Sequence, residues 1–407
     1  MTRRKRSRLG RLVGAAMVTC LGLAGEGNGA PFPEGALTGA SRWDDPAFLA
    51  GFRATAIPSR IAHRPWPDPG VVLGRVPHSV IGRFDGDRLR SITVLMLDSG
   101  THFGYVPRTE ADTVEKENRE AFQALYATTA TETRAALAKL AGGSGPLPLE
   151  LGTEPMLRQT VFLYSSGDLF ARLHVVEEQL VKVTVFRDEA DARNWIDPAE
   201  RERKDRDRLS DYGKRTERRE NGDVLLSDIP LLPQGDRAYC GVSALSMTMQ
   251  YLGLNLDTED YAAASGIRYG STKGSQIRET YDAAAAEAGF RLSRATKFDF
   301  KKAKESIDNG IPVLVWRRWN QERDYLHTQF AAKFSRDPAA TLPRADAADR
   351  STWPGKISFT HATVINGYNE RRGELIFSES WTESVRDRRM RVEEMEGTAY
   401  YTFYLRL

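Results

Sequence analysis

Outside its first two dozen residues the sequence holds a single cysteine, Cys240, in the stretch Q-G-D-R-A-Y-C-G-V-S-A-L-S-M-T-M-Q-Y-L-G at 234–253. A thiol becomes a strong nucleophile as its thiolate, and a helix N-terminus or a nearby imidazolium favours that form. Loop residues 235–239 precede Cys240, and Val242, Leu245, Met249 and Leu252 then follow helical spacing until Gly253 stops the run. Cys240 is therefore predicted at the mouth of a helix. His361 can supply the imidazolium, because it opens the predicted strand H-A-T-V-I-N-G-Y. Alternation puts Thr363 and Ile365 on its side and turns Ala362, Val364 and Asn366 to the other. The plainer alternatives are a small cysteine packed in the core and a structural histidine at a strand end.

Acyl transfer through such a pair needs two more parts. One is an acceptor for the far nitrogen of the imidazole, which fixes its tautomer. Glu379, in F-S-E-S-W on the next predicted strand, can reach it; Asn366 and Glu383 are the other candidates, and Trp381 can cover the bond. The second part is a pair of donors for the charge that develops on the attacked carbonyl. Gln234, six residues before the thiol, offers its side-chain amide, and Cys240 its backbone N–H. No metal or other cofactor is needed.

The elements that must hold these residues fall into two groups. In the first half a buried strand is predicted over 92–97, a helix over 115–140, and a meander of strands over 160–164, 169–176 and 180–186. Residues 31–86 read as irregular structure with one short helix. His63, His78, His102 and His174 show no ligand spacing and are expected to be structural. A dense run of mixed charge over 197–221 has almost nothing apolar, so it reads as a solvated helix or linker. Beyond it, helices are expected over 242–252, 275–288 and 300–309, and strands over 313–316, 360–367, 374–380 and 400–405. The polar stretch 317–357 reads as a surface insertion or lid, and its Trp319, Tyr325 and His327 are candidates for pocket lining. Helices followed by antiparallel strands indicate an α+β domain. The expected organisation is a signal peptide at 1–24, an α+β domain of unknown role at 31–196, a charged linker at 197–223 and the Cys240 domain at 224–407.

At 407 residues the chain exceeds what one core usually serves. A composition of 41% hydrophobic and 28% charged residues is that of a folded globular protein. The net charge of +3 is accounted for by the basic N-terminus, so no basic face for nucleic acid is expected. That N-terminus, M-T-R-R-K-R-S-R-L-G-R, precedes a short apolar run at 12–24 and small residues at Gly22, Ala24 and Gly25. It reads as a secretory signal, with a membrane anchor as the alternative, and places the protein outside the cytoplasm. Cleavage after Ala24 removes Cys20, and Met17-Val18-Thr19 before that cysteine differs from a lipobox. Cys240 then has no disulfide partner, and no later segment is long enough to span a bilayer. Oligomeric state is not legible.

In three segments the chain resembles the papain-like cysteine peptidases, and among them family 39, the bacteriocin-processing, double-glycine leader peptidases. These are P-Q-G-D-R-A-Y-C-G-V-S-A-L-S-M, then I-D-N-G-I-P-V-L-V, then H-A-T-V-I-N-G-Y-N with I-F-S-E-S-W. The resemblance covers 228–407 and implies a papain-like fold, with Cys240 as nucleophile, His361 as general base and then acid, and Gln234 as oxyanion donor. At the third position papain-like enzymes carry Asn and the leader peptidases Asp; this sequence has Glu379, one methylene longer. No transporter segments follow the domain, so the leader-peptide substrate is not carried over. The expectation is a secreted thiol peptidase acting on a peptide or protein. A transglutaminase or cell-wall amidase, or a non-catalytic binding module, are the alternatives.

Overall fold

Period-two burial organises the first half of the chain. In the computed structural model, which describes residues 29–55, 59–381 and 386–407, seven strands form one antiparallel sheet. They are β1 (Ile61–Pro65), β2 (Ser79–Asp85), β3 (Arg88–Asp98), β4 (Leu147–Leu151), β5 (Gln159–Ser166), β6 (Leu169–Val176) and β7 (Leu180–Phe186), in the order β1-β2-β3-β7-β6-β5-β4. Every residue of β7 is buried, so this sheet is covered on both faces. Val181, Val183 and Val185 join Ile92, Val94, Ala171 and Leu173 in an apolar core that includes Phe122 and Leu137 of the 30-residue helix Ala111–Leu140. The opposite face is polar yet buried: Ser91, Arg172, His174, Lys182 and Thr184 all lie on it. Buried polar groups of this kind need partners, and they find them in the second half.

There a second antiparallel sheet runs β10-β15-β11-β12-β13-β14, with β9 pairing to β12 and β8 to β9. Its strands are β8 (Thr216–Arg218), β9 (Val224–Leu226), β10 (Arg291–Ala295), β11 (Val313–Trp319), β12 (Phe359–Asn369), β13 (Glu374–Ser378), β14 (Arg388–Arg391) and β15 (Ala399–Arg406). The helix Cys240–Tyr251 packs on this sheet and is buried from Gly241 to Tyr251. Val242, Leu245, Met247 and Met249 are fully enclosed, and burial of such side chains contributes roughly 1.5–3 kcal/mol each. Gly253 ends the helix at φ +99°, a conformation glycine adopts without strain. This helix and the next, Thr258–Ala264 with Asp257 as its N-cap, face the first sheet. His63 meets Gln250 at 2.7 Å, His174 meets Asp260 at 2.9 Å, and Lys182 reaches Asp260 at 2.6 Å and Asp257 at 3.1 Å.

The two antiparallel sheets with their helices give the mixed α and β architecture that the sequence indicates. Several elements depart from expectation. Residues 31–86 carry β1 and β2, which glycine and arginine in S-V-I-G-R-F-D disguise. Gly82 is needed there, because a Cβ would lie 2.7 Å from the Phe52 ring. The 197–221 run, expected to bury nothing, forms helices Pro198–Glu202 and Asp205–Gly213 and buries Arg208 and Tyr212. Arg208 donates to the carbonyl of Ala288 at 2.7 Å, and Tyr212 to that of Leu252 at 3.1 Å. The stretch 317–357 is not a surface lid. It completes β11 and forms the helix Gln321–Arg336, whose Arg323 and His327 are buried against Glu394. Its charged residues pair with partners in the interior instead. The expected signal sequence with Cys20, and Glu383, lie outside the described residues. Among the described residues no helix is long and apolar enough to cross a membrane.

Candidate active site

Cys240 is the first residue of its helix, with Tyr239 at the N-cap. The first N–H groups of a helix have no partner within it, so the thiol sits where negative charge is favoured. Gly241 follows because Ile277 crowds it: a Cβ there would lie 3.3 Å from Ile277 Cγ2. Tyr281 Oη donates to the Gly241 carbonyl at 2.7 Å and accepts from Trp316 Nε1 at 3.1 Å, which fixes the first turn.

His361 lies on β12 and is buried. Its Nε2 pairs with Glu379 Oε2, and the ring is hydrogen-bonded to the Cys240 thiol. With Nε2 taken, Nδ1 is the nitrogen turned to sulfur. Burial alone pushes the thiol up. The His361 hydrogen bond and charge, with the backbone amides of Ala362 and Gly241, outweigh it and hold Cys240 below its ordinary value. Burial likewise pulls His361 down, but Glu379 and the thiol raise it to about 9. Both directions favour a thiolate–imidazolium pair. The Trp381 ring stacks on the His361 ring, with centroids 4.3 Å apart and planes 7° from parallel, and screens the His361–Glu379 bond from water.

Glu379 stands one residue past the end of β13 and is itself buried. Its two oxygens serve different partners. Oε2 takes His361, while Oε1 accepts from Thr363 Oγ1 at 2.8 Å and from Arg317 Nη2 at 2.5 Å. Burial raises this carboxyl, and the surrounding cations, His361 first and then Arg317 and Arg388, hold it far below the usual carboxylate range. Arg317 is directly opposite His361 in the β11–β12 register and also bonds Thr363 Oγ1 at 3.1 Å. Asp324 completes the group, 2.6 Å from Arg388 and 3.6 Å from Arg317. The extra methylene of Glu379 lets one side chain span from His361 to Arg317.

Gln234 is buried beside this cluster. Its Oε1 accepts from Ser380 Oγ at 2.8 Å, its backbone N–H donates to the Ser380 carbonyl at 2.7 Å, and its Nε2 donates one proton to the Arg237 carbonyl at 3.0 Å. An amide nitrogen carries two protons, and among the described residues the second has no partner. Gln234 and Glu379 are thus neighbours through Ser380.

All four residues singled out in the sequence meet here. Asn366 does not: it bonds Asp387 at 2.8 Å on the far side of β12, as alternation requires. Of the candidate pocket residues, His327 is fully buried against Glu394, while Tyr325 is exposed. His63 and His174 are structural, paired with Gln250 and Asp260. Sequence reading missed Arg317, Arg388 and Asp324. Arg317 had a legible signal, a charge within the apolar strand V-L-V-W-R-R-W. Among the described residues no group of three or more His, Cys, Asp or Glu is arranged to hold a metal ion.

Cys240 thus stands at a helix N-terminus, faced by His361 and Glu379 from an adjoining antiparallel sheet. Residues 226–405 match the model of the Peptidase_C39 like family. Two solved structures are similar to the chain. A C39-like peptidase from Bacillus anthracis has 16% identity and a TM-score of 0.31 over 46% of this chain and 98% of that one. The peptidase domain of Streptococcus ComA, a bifunctional ABC transporter, has 18% identity and a TM-score of 0.28 over 43% and 96%. No curated protein matches the chain in sequence.

Proposed function

We propose that the protein is a cysteine peptidase that cleaves peptide bonds through an acyl-enzyme on Cys240, and that it acts outside the cytoplasm. The observation that carries the reading is the continuous chain from the Cys240 thiol through His361 to Glu379 at a helix N-terminus. The thiolate attacks the carbonyl carbon of the scissile amide. The charge moving onto the carbonyl oxygen is met by the backbone N–H of Cys240 and the second N–H of Gln234, donors that contribute a few kcal/mol each. The tetrahedral intermediate collapses as the C–N bond breaks, and the imidazolium gives its proton to the leaving amine. A water molecule, deprotonated by His361, then attacks the thioester, releasing the acid and returning the thiol. Glu379 keeps Nδ1 aimed at sulfur and the reacting nitrogen, and stabilises the cation that forms. The basic N-terminus and its apolar run support export.

Labelling by iodoacetamide near pH 7, where an ordinary thiol is only a few per cent ionised, tests the nucleophile. Rapid modification mapped to Cys240, absent in Cys240→Ala, is expected. A rate no faster than that of a free thiol overturns the assignment.

A further inference from the structure

The first sheet ends against the loop that carries the nucleophile. Asp98, the last residue of β3, is buried and divides its carboxylate. Oδ2 caps the short helix Ser99–Phe103 by accepting from the Thr101 backbone N–H at 2.7 Å and its hydroxyl at 2.8 Å. Oδ1 accepts from the Tyr239 hydroxyl at 2.7 Å. Tyr239 is the residue before the thiol, and its carbonyl accepts the first bond of the Cys240 helix, from Ser243 N–H at 2.8 Å. Its ring is almost wholly enclosed, under Arg237 at 4.7 Å and against Gly100. A Cβ on Gly100 would come within 2.3 Å of the Tyr239 ring and hydroxyl, so glycine is what allows the approach.

Arg237 ties the other end of the loop to the same carboxylate. It lies 3.5 Å from Asp98, pairs with Glu259 at 2.5 Å, and donates to the carbonyls of Gln234 at 2.7 Å and Pro233 at 3.2 Å. Both ends of the 234–240 loop, the amide donor and the thiol, thus hang on one carboxylate from the other half of the chain. This carboxylate touches neither reacting group.

We propose that the N-terminal sheet is a built-in brace for the reaction centre, with Asp98 as a positioning residue that fixes Cys240 against His361 through the Tyr239 hydroxyl. The proposal rests on the peptidase reading above and gives the first half of the chain a role in it. Removing the bond leaves Tyr239 buried but frees the backbone beside the thiol to turn. The thiol–imidazole contact then weakens, and the thiol returns toward its ordinary ionisation while the fold persists.

The test is the pH dependence of Cys240 alkylation in the full chain, for wild type, Tyr239→Phe and Gly100→Ala, with melting temperature measured alongside. Tyr239→Phe removes only the hydroxyl; Gly100→Ala leaves Asp98 intact and displaces the ring. Both are expected to slow alkylation near pH 7 by about tenfold or more, with the rate above pH 10 unchanged, as for a thiol returned toward its ordinary value. If both variants keep the wild-type profile, or lower melting temperature alone, Asp98 is structural and the proposal is overturned. A wild-type profile that rises only as an ordinary thiol does removes the peptidase reading, and the brace with it.

Discussion

Glu379→Gln keeps the shape of the side chain and removes its charge, so it isolates what the carboxylate does for His361. The imidazole is buried, and burial alone pulls it below its ordinary 6.5; Glu379 is the largest influence that lifts it to about 9. That rise corresponds to about 3 kcal/mol in favour of the imidazolium, at 1.36 kcal/mol per pH unit. Without the negative charge, the cations of Arg317 and Arg388 remain close by, 2.5 Å and 4.0 Å from the Oε1 position. His361 is then expected to titrate well below 9, with the Cys240 thiol as its remaining support. At pH 7.5 the wild-type imidazolium makes up roughly 97% of molecules, and the variant is expected to hold much less. Long-range 1H–15N NMR of 15N-histidine-labelled protein measures this directly, with the His361 signal assigned by its loss in His361→Ala. The expected midpoint is near 9 in wild type and clearly lower in the variant. A variant midpoint still near 9, in protein shown to be folded by circular dichroism, refutes the assignment of Glu379 as the partner that sustains the cation.

Three further outcomes follow from the same contacts. Arg317→Met leaves Glu379 buried with one neighbouring cation fewer, and chemical denaturation is expected to show a loss of about 3 kcal/mol or more; a loss under about 1 kcal/mol contradicts the pairing. Burial raises the Glu394 carboxyl, but His327 and Arg323 outweigh it and hold Glu394 at about 2 against an ordinary 4.5. A depressed carboxyl contributes stability that is complete above 4.5 and lost as pH falls through about 2, here about 3 kcal/mol. Melting temperatures across that window are expected to drop in wild type and to change less in Glu394→Gln. Tyr281→Phe removes the hydroxyl that meets the Gly241 carbonyl and the Trp316 ring N–H, and is expected to cost about 1 kcal/mol and lower kcat with little change in KM.

The candidate catalytic residues were legible because each belongs to a local pattern. Cys240 precedes a helical repeat closed by Gly253, and His361 opens a strand whose alternation correctly set Thr363 beside it and Asn366 away. What positions them was not legible, because it is made of charges paired across long sequence separations. Arg317 meets Glu379 across 62 residues, Arg388 meets Asp324 across 64, and Tyr239 meets Asp98 across 141. No local spacing records such pairs, and a polar stretch reads as solvated until its partners are seen. For the same reason the polar face of the first sheet gave no sign that it was an interface. In β7, Lys182 and Thr184 stand between valines and are buried with them.

The central claim is that Cys240 cleaves peptide bonds. Incubating the purified chain with a complex peptide mixture and sequencing the products by mass spectrometry tests it most directly. Wild type is expected to generate new internal termini with a consistent residue preference, and Cys240→Ala to generate none. No cleavage by folded wild type, or equal cleavage by Cys240→Ala, would contradict the account.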